Sequence, residues 1–424
     1  MKTLIKNGQL INPKTNFNNI TDIMIEDGKV IKISKDIKEE ADKIIDAKGC
    51  LVTPGLIDVH VHLREPGFEH KETILTGSKS AAKGGFTTIC AMPNTSPVID
   101  NEIVTTYVKY KAKEAGIVNV LPIGAITKGQ EGKELASIGK MVEAGICAIS
   151  VDGKSVLNAG LLKKAMTYAK MYDIPVLSHC EDETLAGSGV MNAGETATML
   201  GMKGIPNESE EVIVARDILL GKSTGVKLHI CHISTETSVD LIREAKAKGI
   251  NVTAEVCPHH FTLTEEAVCG YDPNTKMNPP LRTQGDIEAL KKGLADGTIE
   301  IIATDHAPHH KDEKNCEYDK ALNGIVGLET SISLGITELV ESKIITIDQL
   351  IEKMSLNPAK MLGIDKGSIE EGKDADITII DPSQEYEINI NDFVSKSNNS
   401  PFHGRKVKGV VTHTIVNGKI VYSI

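Results

Sequence analysis

The chain has 424 residues, with 47 Lys and Arg against 58 Asp and Glu and a formal net charge of -11. At 40% hydrophobic and 25% charged residues it is neither disordered nor fibrous, and its length suits a barrel-sized domain plus a smaller one. The acidic balance argues against nonspecific nucleic-acid binding, and the absence of any apolar run of about 18 residues argues against a helical membrane span. The N-terminal MKTLIKNGQLINPKT lacks the apolar core of a signal peptide, and the eight Cys are scattered without a CxxC pair. Both features predict a cytoplasmic protein with reduced thiols, no membrane association and no nucleic-acid partner. The chain has no Trp but 13 His, and the histidines repay attention.

In chain order, residues 1–54 read as short strands, with β-branched runs broken by Asn7-Gly8, Asp27-Gly28 and Lys48-Gly49, which are hairpin signals. Residues 363–424 repeat that texture, and neither end makes a core alone. The expectation is one small composite β-sandwich domain built from both termini, with a domain spanning 55–362 inserted between them. In that centre, strands are expected at 56–62, 87–93, 118–127, 146–152, 174–180, 226–234, 250–257 and 299–306. Amphipathic stretches such as ETILTGSKSAAKGG and TSVDLIREAKAKG separate them. Eight strands, each followed by a helical pattern, predict an α/β fold of the parallel (β/α)8 TIM-barrel type.

Polar residues collect at the C-terminal ends of these strands, where barrel enzymes keep their active sites. The first ends in Asp58-Val59-His60-Val61-His62, and strand alternation puts Asp58, His60 and His62 on one face, with Val59 and Val61 toward the helices. The fourth ends near Asp152, the fifth at His179, the sixth at His232 and the eighth at Asp305-His306. Imidazoles and carboxylates at five strand ends are costly to bury unpaired, and together they suit Zn²⁺ or a similar divalent ion. His229, three positions before His232, is expected under a helix. His259 and His260 are expected beside the ligands rather than among them, with Asp58 as an acceptor for an imidazole. Cys180 and Cys231 are expected to face away from the site as small core residues.

The segment Pro54-Gly55-Leu56-Ile57-Asp58-Val59-His60-Val61-His62-Leu63-Arg64-Glu65-Pro66-Gly67 strongly resembles dihydroorotases of the bacterial long-chain type, within the amidohydrolase superfamily. So do Ala91-Met92-Pro93-Asn94-Thr95, Asn278-Pro279-Pro280-Leu281-Arg282, Thr304-Asp305-His306-Ala307-Pro308-His309 and Gly324-Ile325-Val326-Gly327-Leu328-Glu329-Thr330. The resemblance covers nearly the whole chain. It implies the reversible cyclisation of N-carbamoyl-L-aspartate to L-dihydroorotate in pyrimidine biosynthesis, on one or two Zn²⁺ ions per chain. It implies that His60 and His62 hold a first metal, His179 and His232 a second, that Asp152 bridges them, and that Asp305 ligates the first and moves the proton. In many relatives the bridge is a carboxylated Lys, and the Asp of Ser-Val-Asp-Gly has a shorter stem.

For the substrate carboxylate, Arg64 lies two residues beyond His62 and can pair with it in bidentate fashion, and Asn94 can add an amide donor. The resemblance adds His309 to this clamp and Asn278 to the ring amide. It further implies a homodimer and an association with aspartate carbamoyltransferase. The polar stretch 306–324 is expected to cover the substrate. Two other readings share parts of the pattern: another cyclic amidase, such as an allantoinase or a hydantoinase/dihydropyrimidinase, and a catalytically silent dihydroorotase-like scaffold for aspartate carbamoyltransferase.

Overall fold

The strands of the two chain ends alternate β-branched residues with turn-forming pairs, and two of those pairs make the tight hairpins their chemistry favours. The computed structural model describes residues 2–424; Met1, the first residue of the expected 1–54 segment, lies outside them. Asp27-Gly28 joins Phe17–Glu26 to Lys29–Ser34 with both φ values positive, 49° and 85°. Asn417-Gly418 joins Lys406–Val416 to Lys419–Ser423 at 48° and 74°. Such two-residue turns need left-handed backbone at both positions, which Asn, Asp and Gly adopt cheaply.

The other two expected hairpins do not form. Strand Lys2–Asn12 runs straight through Asn7-Gly8, which is taken up as a register irregularity between Ile5 and Gly8. Apolar residues on both sides of it, Ile5 and Leu10, are buried in one core, so turning the chain there would expose one of them. Lys48-Gly49 connects Lys43–Asp46 to Leu51–Pro54, and both of these strands pair parallel with Lys2–Asn12.

The two termini meet where Leu51–Pro54 pairs antiparallel with Ile377–Glu387, from Pro54 opposite Ile377 to Leu51 opposite Ile380. All the terminal strands join one eight-stranded sheet. Ile5, Ile23 and Val52 share a core with Ile377, Ile379 and Ile415. Burying each such side chain contributes about 1.5–3 kcal/mol, so each chain end supplies the apolar partner that the other lacks.

Between them, Leu56–Val61, Phe86–Ala91, Asn119–Ala125, Ala148–Ser150, Val176–Ser178, Leu228–Ile230, Val252–Val256 and Ile301–Ile302 pair in parallel, each with the next. The barrel is nearly closed by a single bridge, in which the His62 N–H donates to the His306 carbonyl at 2.8 Å. Helices follow the strands, including Ile74–Lys83, capped by Thr73, and Glu236–Ala247, capped by Thr235. This is the expected TIM-type barrel with a terminal sheet domain. Among the described residues, no helix is long and apolar enough to cross a membrane.

The barrel has two apolar layers. One fills the space between strands and helices and includes Val61, Ile89 and Ile149. The other gathers Ile57, Val59, Cys90, Ile123, Leu177, Cys231 and Ala303 from six strands and the residues just past their ends, and is joined by Ala359 and Leu362 of helix Leu356–Leu362. Residues from so many strands meet only in the lumen. Val59 therefore points inward, against the simple alternation expected of the first strand. The pairing of that strand with its neighbour is irregular between Asp58 and Val61, which is how Val59 and His60 both reach the interior.

Candidate metal centre and substrate cavity

The expected strand-end residues converge above the lumen cluster. His60, fully buried, presents Nδ1 to Glu255 Oε1 at 2.7 Å. Glu255 is an acceptor, so the proton of His60 sits on Nδ1 and the lone pair of Nε2 faces the centre. There it lies 3.1 Å from Asp152 Oδ1 and 3.5 Å from Asp305 Oδ1. His62 is oriented in the same way: Nδ1 meets Asn94 Oδ1 at 2.8 Å, and Nε2 lies 3.1 Å from Asp305 Oδ1 and 3.2 Å from Asp152 Oδ2. Asp152 thus turns one oxygen toward each histidine. Its Oδ1 also lies 3.6 Å from His232 Nε2 and 3.7 Å from His179 Nδ1.

Three residues at this level hold backbone conformations that L side chains seldom adopt: φ is 62° at Arg64, 30° at His232 and 47° at Asp305. The sharp turn at His232 breaks strand alternation, and the consequence reaches His229. Rather than lying under a helix, His229 bonds Glu255 Oε2 through Nε2 at 2.9 Å and Thr253 Oγ1 through Nδ1 at 2.8 Å. Glu255 therefore ties His229 to His60. Cys231 likewise does not face away, since its sulfur groups with the donors of His60 and Glu255 inside the barrel. Asp58 bonds the backbone N–H groups of His60 and Thr304 and the Thr304 hydroxyl, and no imidazole.

The donor set fits a divalent metal on its own chemistry. His60 Nε2 and Asp152 Oδ1 are buried acceptors with no hydrogen-bond partner. Two acceptors 3.1 Å apart repel unless a cation or proton lies between them. Ligands of one ion bound at about 2.0–2.1 Å stand about 3–3.5 Å from each other, the spacing seen here. One ligand atom each from His60, His62 and Asp305 lies within 4.8 Å of the others, and the same holds for His60, Asp152 and His232. Without a metal the compensation falls to protons: burial opposes ionisation of Asp152, but His60 and His62, when protonated, hold its carboxyl well below the usual range. Burial likewise opposes ionisation of Asp305, which His62 and His60 also hold low.

A cavity of about 220 Å³ opens over this centre, lined by His62, Asp152, His179, His232 and Asp305 together with Arg64, Asn94, Asn278 and His309. Every residue singled out in the sequence for metal or substrate lines this one cavity except His60, which is fully buried beside Asp152. The Arg64 Nε donates to the Pro308 carbonyl at 3.1 Å, and its guanidinium lies 3.5 Å from His309 Nε2. Burial and the cations of Arg64, Lys314 and Lys71 push the His309 imidazole down to about 2, so it is neutral. Its Nε2 donates to the Asn323 carbonyl at 2.7 Å.

Residues 322–324 of the expected covering stretch line the cavity. The stretch is anchored by Lys314, whose buried ammonium donates to the carbonyls of Pro273, Lys276 and Leu322. Asn399, from the C-terminal part of the chain, clamps the same rim by accepting from His309 N–H and donating to Ala307 and Gly324 carbonyls. Neither Asn399 nor Glu255 stood out in the sequence. For Glu255 a signal existed, namely one charged residue inside the apolar run Val252–Val256.

A family model described as dihydro-orotase-like matches residues 49–238, and one described as amidohydrolase family matches residues 309–422. The chain is 56% identical over 418 residues to a dihydroorotase of Acetivibrio thermocellus, covering 99% of this chain and 98% of the relative. It is 55% identical over 421 residues to a dihydroorotase of Pelotomaculum thermopropionicum, with 99% and 98% covered. Among solved structures it resembles an L-hydantoinase (dihydropyrimidinase) from Arthrobacter aurescens, with TM-score 0.89, 29% identity and coverage of 99% and 96%. With identity above half over nearly the full length, the chain belongs to the dihydroorotase family of amidohydrolases.

Proposed function

We propose that the chain catalyses the reversible cyclisation of N-carbamoyl-L-aspartate to L-dihydroorotate in pyrimidine biosynthesis. The observation that carries this reading is the composition of the one cavity. Metal-type donors line it together with a guanidinium and an amide suited to a carboxylate, with His309 beside the guanidinium. The identity of more than half to dihydroorotases supports the same reaction.

In this reading Zn²⁺, as one or two ions, is held by His60, His62, Asp152, His179, His232 and Asp305. When bound, it supplies Lewis acidity toward the ring carbonyl and lowers the pKa of a water toward about 7. Asp305, held ionised, accepts the proton of the attacking water and delivers it to the departing ring nitrogen. In the biosynthetic direction it takes that proton from the carbamoyl nitrogen. Arg64, Asn94 and His309 hold the substrate carboxylate, and Asn278 meets the ring amide. The 306–324 stretch keeps bulk water out. The family resemblance also supports a homodimer, an association with aspartate carbamoyltransferase and a cytoplasmic location, and the bounds 1–54, 55–362 and 363–424 are carried as the proposed domain division.

A hydantoinase reading has one observation in its favour, the shared fold with hydantoinases at 29% identity or less. The test is to strip the purified protein of metal, reconstitute it with Zn²⁺ and assay dihydroorotate against hydantoin, dihydrouracil and allantoin. Zinc-dependent turnover of dihydroorotate above the others is expected. Preference for another ring would overturn the substrate, and a chain that neither binds zinc nor turns over any ring would return the scaffold reading.

A further inference from the structure

His179, Cys180 and Glu181 leave the fifth barrel strand together, and their backbone is held by one hydroxyl. Ser155 Oγ donates to the His179 carbonyl at 2.7 Å and accepts the Glu181 N–H at 3.0 Å. The Glu181 side chain is thereby directed across the cavity wall to Asn278, on the loop after the seventh strand, whose Nδ2 donates to Glu181 Oε2 at 2.9 Å. The same oxygen lies 3.5 Å from His179 Nε2, at the outer limit of a hydrogen bond.

In this contact the Asn278 amide is the donor and the Glu181 oxygen the acceptor. With its NH₂ end spent on Glu181, the Asn278 amide has its carbonyl oxygen left for another donor. Among the described residues no protein group donates to that oxygen, and Asn278 lines the substrate cavity. Without Glu181 the two ends of the amide would be nearly interchangeable in shape, and the pocket would lose its polarity.

We infer that Glu181 is a positioning residue that locks the Asn278 amide with its carbonyl toward the substrate, so that the cavity selects a ring carrying an N–H over one whose nitrogen is substituted. The inference rests on the cyclic-amide reading above and deepens it: it names the donor that the ring must present. A site with a fixed acceptor rejects a ring lacking the matching donor, because the buried acceptor is then left unpaired.

The test uses the zinc-loaded full chain with L-dihydroorotate and its two ring-N-methyl analogues as competitive inhibitors. In the wild type, methylation at one of the nitrogens is expected to weaken binding about tenfold or more. In Glu181→Gln that discrimination falls below about threefold, because Gln can donate as well as accept and lets the amide turn. Zinc per chain, measured by elemental analysis, stays at the wild-type value. In an Asn278→Ala background, adding Glu181→Gln changes KM less than about twofold, since the residue through which it acts is gone. Ser155→Ala, which loosens the Glu181 backbone, reduces the discrimination in the same direction and serves if Glu181→Gln fails to fold. Discrimination that survives in the variants overturns the inference, as does zinc loss in step with activity, which would place the role at His179. A wild-type protein that does not bind dihydroorotate would instead overturn the functional reading, and this inference with it.

Discussion

Replacing Glu255 separates the work of its charge from the work of its hydrogen-bonding polarity. The carboxylate is fully buried and accepts from His60 Nδ1 at 2.7 Å, from His229 Nε2 at 2.9 Å and from the His232 backbone N–H at 3.3 Å. Glu255→Ala leaves these donors facing a cavity. Hydrogen bonds to a charged group contribute about 1.5–3 kcal/mol each, and breaking a buried pair costs about 3–5 kcal/mol, so a destabilisation of about 3–5 kcal/mol is expected for the metal-free chain. His60 also loses the partner that holds its proton on Nδ1, so zinc affinity should fall about 10- to 100-fold, or about 1.4–2.8 kcal/mol.

Glu255→Gln should behave differently. Its carbonyl can keep the bond to His60 while its NH₂ turns to His229. His229 can accept by moving its proton to Nδ1, because the Thr253 hydroxyl 2.8 Å away can accept it. The Gln variant should therefore lose only about 1–2 kcal/mol and less than about tenfold in zinc affinity. Urea unfolding of the metal-free proteins and titration in chelator-buffered zinc measure both quantities. Equal damage from Ala and Gln would refute the tautomer argument, and no damage from either would refute the orienting role itself.

Other perturbations have equally definite outcomes. Arg64→Met removes the guanidinium beside the cavity and should raise KM for dihydroorotate about 100-fold with a smaller change in kcat; an unchanged KM would remove Arg64 from the carboxylate clamp. Asp305→Asn keeps the shape but not the proton acceptor, and kcat should fall about 10²- to 10⁴-fold; a variant with normal kcat at full zinc occupancy would exclude it as the proton carrier. Glu72, buried against His306 and the Ser395 hydroxyl, is held below its ordinary value, chiefly by His306 against the cost of burial. A depressed carboxyl stabilises the fold fully above its unfolded pKa of about 4.3 and loses that contribution as pH falls through the folded value. Glu72→Gln should thus cost about 2 kcal/mol at pH 7, and the gap to the wild type should narrow as pH falls below about 4; a gap independent of pH in urea unfolding would contradict the assignment.

The barrel was legible because its signal is local. Eight short apolar runs, separated by amphipathic segments such as the one that becomes Ile74–Lys83, obey periodicities that neighbouring residues determine. The strand-end histidines were legible for the same reason, as His60-Val61-His62 and Thr304-Asp305-His306 are each contiguous. Turn pairs were less decisive. Asn7-Gly8 and Asp27-Gly28 have nearly the same intrinsic preference, yet only the second turns the chain, because Ile5 and Leu10 on either side of the first are wanted in one core.

By itself the sequence determined the parallel barrel, the partnership of the two chain ends and the set of polar side chains at the strand ends, all of which follow from short-range pattern and composition. Only the tertiary structure decided how those side chains are held. Glu255 meets His60 across 195 residues, Asn399 meets His309 across 90, and Glu181 meets Asn278 across 97. The turn at His232 that brings His229 to Glu255 departs from strand alternation, so no periodicity could foretell it. Pairings of this kind depend on which buried donor finds which acceptor once the barrel has closed, and that choice is made by distance in space rather than along the chain.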